Sequence, residues 1–145
     1  MSTSDEHGLS RFVEAQRSTY ERALAELRGG RKRSHWMWYV FPQLAGLGRS
    51  AMSERYAIAS LAEAEAYLRH PVLGPRLSES ATAVLEIDGR SAYEIFGSPD
   101  DLKLRSCATL FARASPPGSV FSKLLAKYFG GLEDDQTVRL LSAQR

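Results

Sequence analysis

The chain has 145 residues, of which 43% are hydrophobic and 25% charged. That is enough apolar material for one buried core, and it excludes a disordered chain. Its 19 Lys and Arg against 17 Asp and Glu leave a net charge of +2, so a dedicated polyanion binder is disfavoured and any basic function must be local.

Residues 1–8 are polar, lack the basic start and apolar centre of a signal peptide, and are expected to form a flexible tail ahead of one domain over 9–145. The longest apolar run, Trp36 to Phe41, is far short of the roughly 20 residues of a membrane span, so a cytoplasmic protein is expected. The single Cys107 lies in an apolar stretch and reads as a buried thiol of a reducing compartment.

In chain order, Phe12, Val13, Gln16, Tyr20, Ala23, Leu24 and Leu27 recur at three- and four-residue steps, which predicts one long helix stopped by Gly29-Gly30. Pro42 keeps Phe41 out of helical geometry, and Gln43 to Ser50 is expected as a loop. The Gly46-x-Gly48 pair within it lacks the rest of a phosphate-binding fingerprint and reads as a turn.

Ser60-Leu61-Ala62-Glu63 predicts a capping box opening a helix that runs to about Arg69. The next helix starts between Pro71 and Pro75, turns Leu77, Ala81, Val84 and Leu85 inward, and ends near Asp88-Gly89. Ser91 to Glu94 is a second capping box, with Gly97 cutting that helix short. Ser98-Pro99-Asp100-Asp101 predicts a helix capped by Ser98, with Leu104, Cys107, Ala108, Phe111 and Ala114 as its apolar stripe. Two more are expected, Val120 to Phe129 and Asp135 to Ser142, the latter capped by Asp134. No segment alternates long enough for a sheet, so the expected fold is all-α, a compact orthogonal bundle of about six to eight helices.

The segment Gly29 to Gln43 departs from this generic pattern. Both tryptophans, Trp36 and Trp38, lie there with Tyr39 and Phe41, preceded by Arg31, Lys32, Arg33 and His35. Aromatic faces beside cations can stack a ring and neutralise a phosphate or carboxylate. The same rings could equally form the core, with the cations as a solvated turn. His35 could donate to an anion or exchange a proton, but no second His, Cys or carboxylate completes a triad or a metal set nearby, and neither a metal nor a cofactor is expected. Asp100, Lys103, Ser106 and Thr109 step along a helix by threes and could face a shared cleft; from the residues alone the better reading is that Asp100 serves the helix start and Lys103 is a solvated charge paired to it.

Several strings in the chain, taken together, carry a resemblance. They are Gly30 to Gln43, with its His35-Trp36-x-Trp38-x-x-Phe41-Pro42-Gln43 run; Gly46-Leu47-Gly48; His70-Pro71-Val72-Leu73-Gly74; Ile95-Phe96-Gly97; and Asp100 to Ser106 with Thr109-Leu110-Phe111. The chain resembles, over Leu9 to Leu141, the bacterial family known as domain of unknown function 1810. The resemblance implies a compact, mainly α-helical fold and brings no settled activity. It also implies that His35, Trp36, Trp38, Pro42, Gln43, Asp100, Lys103, Ser106 and Thr109 belong to the family pattern. Ala108 stands where the family usually has Met.

The leading expectation is a site for a small anionic metabolite, nucleotide or ADP-ribose-like, where the His35 to Gln43 segment meets the helix starting near Pro99. Trp36 or Trp38 would supply a stacking wall. Lys32, Arg33 and Lys103 would hold the anion, with Gln43, Ser106 and Thr109 as further contacts. If the ligand is hydrolysed, His35 or Asp100 would be the acid or base. The alternative is a non-catalytic protein-interaction module with exposed aromatics as hot spots. Nucleic-acid binding is disfavoured by the near-neutral charge, and a monomer is expected.

Overall fold

A computed structural model of the chain describes residue 5 and residues 7–144. Of the tail expected over 1–8, residues 1–4 and 6 lie outside the described residues; the Asp5 carboxylate accepts from Ser10 through its backbone N–H at 3.2 Å and its hydroxyl at 2.6 Å.

Ten helices follow one another among the described residues: α1 Ser10–Gln16, α2 Tyr20–Arg28, α3 Met37–Val40, α4 Ala51–Arg55, α5 Leu61–Arg69, α6 Leu73–Leu85, α7 Ala92–Phe96, α8 Asp100–Arg113, α9 Val120–Phe129 and α10 Asp135–Ala143. The architecture is all-α. Among the described residues its one extended feature is a parallel bridge between Leu44 and Ile58. There the Ala45 N–H donates to the Ile58 carbonyl at 2.8 Å and the Ile58 N–H to the Gln43 carbonyl at 2.9 Å, closing the base of the loop that carries α4.

Helix α8 is the centre of the molecule, packed by α5, α7, α9 and α10. Residues Ser106 through Phe111 are all buried, so every face of the helix is covered by neighbours. Burial on all sides forces its hydroxyls to find partners inside the helix. Ser106 Oγ donates to the Leu102 carbonyl at 3.2 Å and Thr109 Oγ1 to that of Arg105 at 2.8 Å. Cys107 is likewise buried, and desolvation raises its thiol well above the ordinary range.

The single long first helix expected from periodicity is two helices, broken at residues 17–19. The Thr19 hydroxyl donates to the Ala15 carbonyl at 2.8 Å, and the Thr19 N–H makes a tight bond to the Gln16 carbonyl at 3.1 Å. The break lets the two halves bury separate faces. Gln16, at the end of α1, reaches inward to donate to the Tyr39 carbonyl at 2.7 Å and the Tyr67 hydroxyl at 3.2 Å, while α2 lies along α6. Together with the short α3 and α4, this split takes the helix number above the six to eight expected.

Two caps also differ from expectation. At α5 the Ser60 oxygen accepts from the Glu63 N–H at 3.1 Å, but the Glu63 carboxylate passes over Ser60 to the Ala59 N–H at 3.2 Å and pairs with Arg11 at 3.0 Å. At α8 Ser98 makes no cap; Pro99 occupies the position, after a cis Ser98–Pro99 peptide, and its carbonyl receives the N–H groups of Leu102 and Lys103 at 3.0 and 3.1 Å. The box at Ser91 and Glu94 and the Asp134 cap of α10 form as expected.

Candidate functional site

The Gly29-Gly30 turn ends α2 and sends the chain back across it. Gly30 takes φ +83, a conformation open to glycine at little cost. The returning segment is held by one side chain. Glu26, in the last turn of α2, accepts from the backbone N–H groups of Arg33 at 2.8 Å and Ser34 at 3.0 Å, from the Ser34 hydroxyl at 2.6 Å and from the Trp36 indole Nε1 at 2.9 Å. Burial alone would raise the Glu26 carboxyl, but these donors outweigh it and bring it down to about 2.

With that segment pinned, Trp36 is fully buried, against Phe41 at 6.2 Å between ring centroids. Trp38 is only partly buried. Between and beside them runs a ladder of charges. The Lys32 ammonium lies 5.1 Å from the Trp36 ring centroid and 2.9 Å from Asp100 Oδ2. The other Asp100 oxygen is 3.5 Å from the Lys103 ammonium, which lies 5.3 Å from the Trp38 centroid. The Lys32 side chain is 7% exposed, whereas those of Asp100 and Lys103 are 20% and 22% exposed. The ladder thus runs from a buried cation to one at the surface, ending on a tryptophan in each direction.

Trp38 and Gln43 together line a cavity of about 180 Å³ that is closed by the 44–57 loop, including Gly46, Ser53, Glu54 and Tyr56. Gly46, at φ +99, packs on Leu140.

Tertiary structure therefore joins Lys32, Asp100, Lys103, Trp36 and Trp38 in one constellation and sets Gln43 beside it through Trp38. Arg33 and His35 are exposed at the turn; His35 makes no hydrogen bond to another described residue. Ser106 and Thr109 lie in the core, and Thr109 Oγ1, besides donating to Arg105, accepts the Asp134 N–H at 2.8 Å and so ties α8 to the start of α10. Among the described residues no group of three or more His, Cys, Asp or Glu is arranged to hold a metal ion, and no helix is long and apolar enough to cross a membrane.

Glu26 is the residue that periodicity missed. A carboxylate in the last turn of a helix opposes the helix dipole, which is a local sign that some other group holds it.

These features define a small all-helical protein whose paired tryptophans bracket a buried-to-surface ion ladder. The chain belongs to the family described as "Protein of unknown function (DUF1810)", whose model matches residues 6–141. It is also similar to a crystal structure of the conserved hypothetical protein Rv1873 from Mycobacterium tuberculosis, at 58% sequence identity and a TM-score of 0.94, over 95% of this chain and 99% of that one. No functionally curated protein matches.

Proposed function

We propose that the protein binds a small anionic ligand of the nucleotide or ADP-ribose class at Trp38, with the ring in the adjoining cavity and the phosphate at Lys103. The observation that carries this reading is the Lys103 ammonium, 5.3 Å from the Trp38 ring and held by Asp100 at 3.5 Å, next to an opening that the same tryptophan lines. A cation oriented over an aromatic wall is prepared for a ligand that has both a flat face and a negative charge.

Size narrows the class. Pockets for whole drug-sized ligands measure roughly 300–1,000 Å³, whereas this cavity measures about 180 Å³. It can take a ring and leaves a sugar and phosphate outside. Gln43 offers a donor and an acceptor, and Glu54 an acceptor, to the polar edge of a base.

Asp100 has both oxygens engaged by ammonium groups, which suits it to orienting Lys103 rather than to exchanging protons. The reading is accordingly one of binding, with hydrolysis as a separate question answered by product analysis. Cys107, a buried free thiol, agrees with a reducing compartment such as the cytoplasm.

Thermal-shift titration with AMP and ADP-ribose tests the reading. A ligand at 100 times its Kd adds about 2.7 kcal/mol of stability, and Trp38→Ala or Lys103→Ala is expected to lower the shift by the contribution of this site; a shift that both variants leave unchanged would count against the reading. No shift with either compound at millimolar concentration would discard this reading in favour of a protein-interaction surface.

A further inference from the structure

On the other side of the Gly30–Arg33 turn lies a second, larger concavity of about 430 Å³, between that turn and α7. Its wall includes Arg31, Arg90, Tyr93 and Glu94. We infer that this concavity is a separate binding site for a phosphate monoester carrying an aromatic ring, with the phosphate between Arg31 and Arg90 and the ring on Tyr93.

Three observations carry it. First, Arg31 and Arg90 are exposed, and neither guanidinium forms an ion pair or hydrogen bond with another described residue. Other guanidinium groups, such as those of Arg22, Arg33 and Arg49, are likewise without a carboxylate partner, but Arg31 and Arg90 are the two that share the wall of this concavity. Second, Arg90 lies alongside the turn. Its stem and guanidinium cross the bare Cα of Gly30, where an added Cβ would sit 3.5 Å from Nε and 3.8 Å from Cζ. The absence of a Cβ at Gly30 leaves room for this guanidinium beside the turn, where its planar fork of N–H donors can grip a phosphate. Third, Tyr93 is 63% exposed although it is a large aromatic side chain on a helix that buries Ala92, Ile95 and Phe96. An uncovered ring beside two unpaired arginines offers a stacking face and charge together.

The remaining charges on this wall do not cancel the arginines. Glu94 keeps one negative charge, with one carboxylate oxygen accepting the Ser91 N–H at 2.8 Å in the helix cap, and the two arginines outnumber it. Lys32 contributes backbone here, since its ammonium is turned to Asp100. Arg31 and Lys32, adjacent in the chain, thus serve opposite sides of the same turn. The site does not depend on the Trp38 reading.

The test is backbone-amide NMR of the full chain titrated with AMP, with inorganic phosphate, and with sodium chloride at matched ionic strength. AMP is expected to shift the amides of Arg31, Arg90 and 93–97, with phosphate doing so more weakly. An Arg31→Ala/Arg90→Ala double variant is expected to lose at least tenfold in affinity for both. Tyr93→Ala is expected to weaken AMP and leave phosphate unchanged. Trp38→Ala should leave all these shifts in place, which separates the two sites. Equal shifts with chloride, no shifts with AMP, or shifts that persist in the double variant would each overturn the inference.

Discussion

The indole Nε1 of Trp36 donates to Glu26 Oε1 at 2.9 Å, from ten residues further along the chain. Through this bond and three others to the same carboxylate, the end of α2 determines the path of the turn that carries Lys32 and leads into α3. Hydrogen bonds to a charged group contribute about 1.5–3 kcal/mol each when measured singly, and less than additively when they share one acceptor. Glu26→Ala is therefore expected to cost about 3 kcal/mol, read as a fall in denaturant midpoint with unchanged slope. A change under about 0.5 kcal/mol would mean that the turn holds itself.

The same carboxylate makes stability depend on acid. Its folded value of about 2 lies below the ordinary 4.5, so the stabilisation is present above about pH 4.5 and is lost as pH falls toward 2. Glu26→Gln is expected to lower stability at neutral pH and to flatten the decline between pH 4.5 and 2. Parallel wild-type and variant curves over that range would contradict this origin of the acid sensitivity.

Arg11 uses its guanidinium as a five-way tie. It donates to the carbonyls of His7, Gly8, Arg55 and Ala57 at 2.6 to 2.9 Å and to the buried Glu63 at 3.0 Å. A lysine retains the charge but not the planar fork. Arg11→Lys should cost about 2 kcal/mol by leaving several carbonyls without partners, measurable by chemical unfolding; a near-neutral result would show that the ion pair alone matters.

Gly74 permits the close approach of α5 and α6. A Cβ built there would sit 2.1 Å from the Leu68 carbonyl oxygen, a backbone atom that cannot swing away. Gly74→Ala is expected to lose at least about 2 kcal/mol by overpacking. Gly29→Ala, whose added Cβ would be 3.4 Å from its nearest neighbour, is expected to be neutral or slightly stabilising, by up to about 1 kcal/mol. Equal effects in calorimetry would refute the packing argument.

The two tryptophans should be distinguishable in solution. Trp36 has no exposed surface, and Trp38 is partly exposed. Trp38→Phe should leave a blue-shifted emission that acrylamide hardly quenches. Strong quenching of the remaining tryptophan would contradict the burial of Trp36.

Most helices were legible in the linear chain because their signals are local. Ser91 with Glu94, Asp134, and the glycines after Phe129 act within one turn of the helix they start or stop, and each did so. The first helix is two helices because an apolar stripe can continue across a break: Gln16 and Tyr20 both point inward on either side of it, and both meet Arg76 of α6. Ser98 is not the cap because the helix starts one residue later, at Pro99, and the first-turn N–H groups of Asp101 and Leu102 are taken by the Gly97 carbonyl and the Asp101 carboxylate.

For the candidate site, residue chemistry singled out the Gly29 to Gln43 stretch but could not sort its members. Lys32 and Asp100, or Lys103 and Trp38, are distant in sequence, and their pairing depends on how α8 packs against the turn after α2. Ser106 and Thr109 share the three-residue spacing of Asp100 and Lys103, but α8 is covered on all sides from Ser106 to Phe111, which puts their hydroxyls in the core. Local propensity thus decided the helices and the composition of the Gly29 to Gln43 segment. Burial, which depends on what arrives from elsewhere in the chain, decided that Trp36 belongs to the core and Trp38 to the cavity.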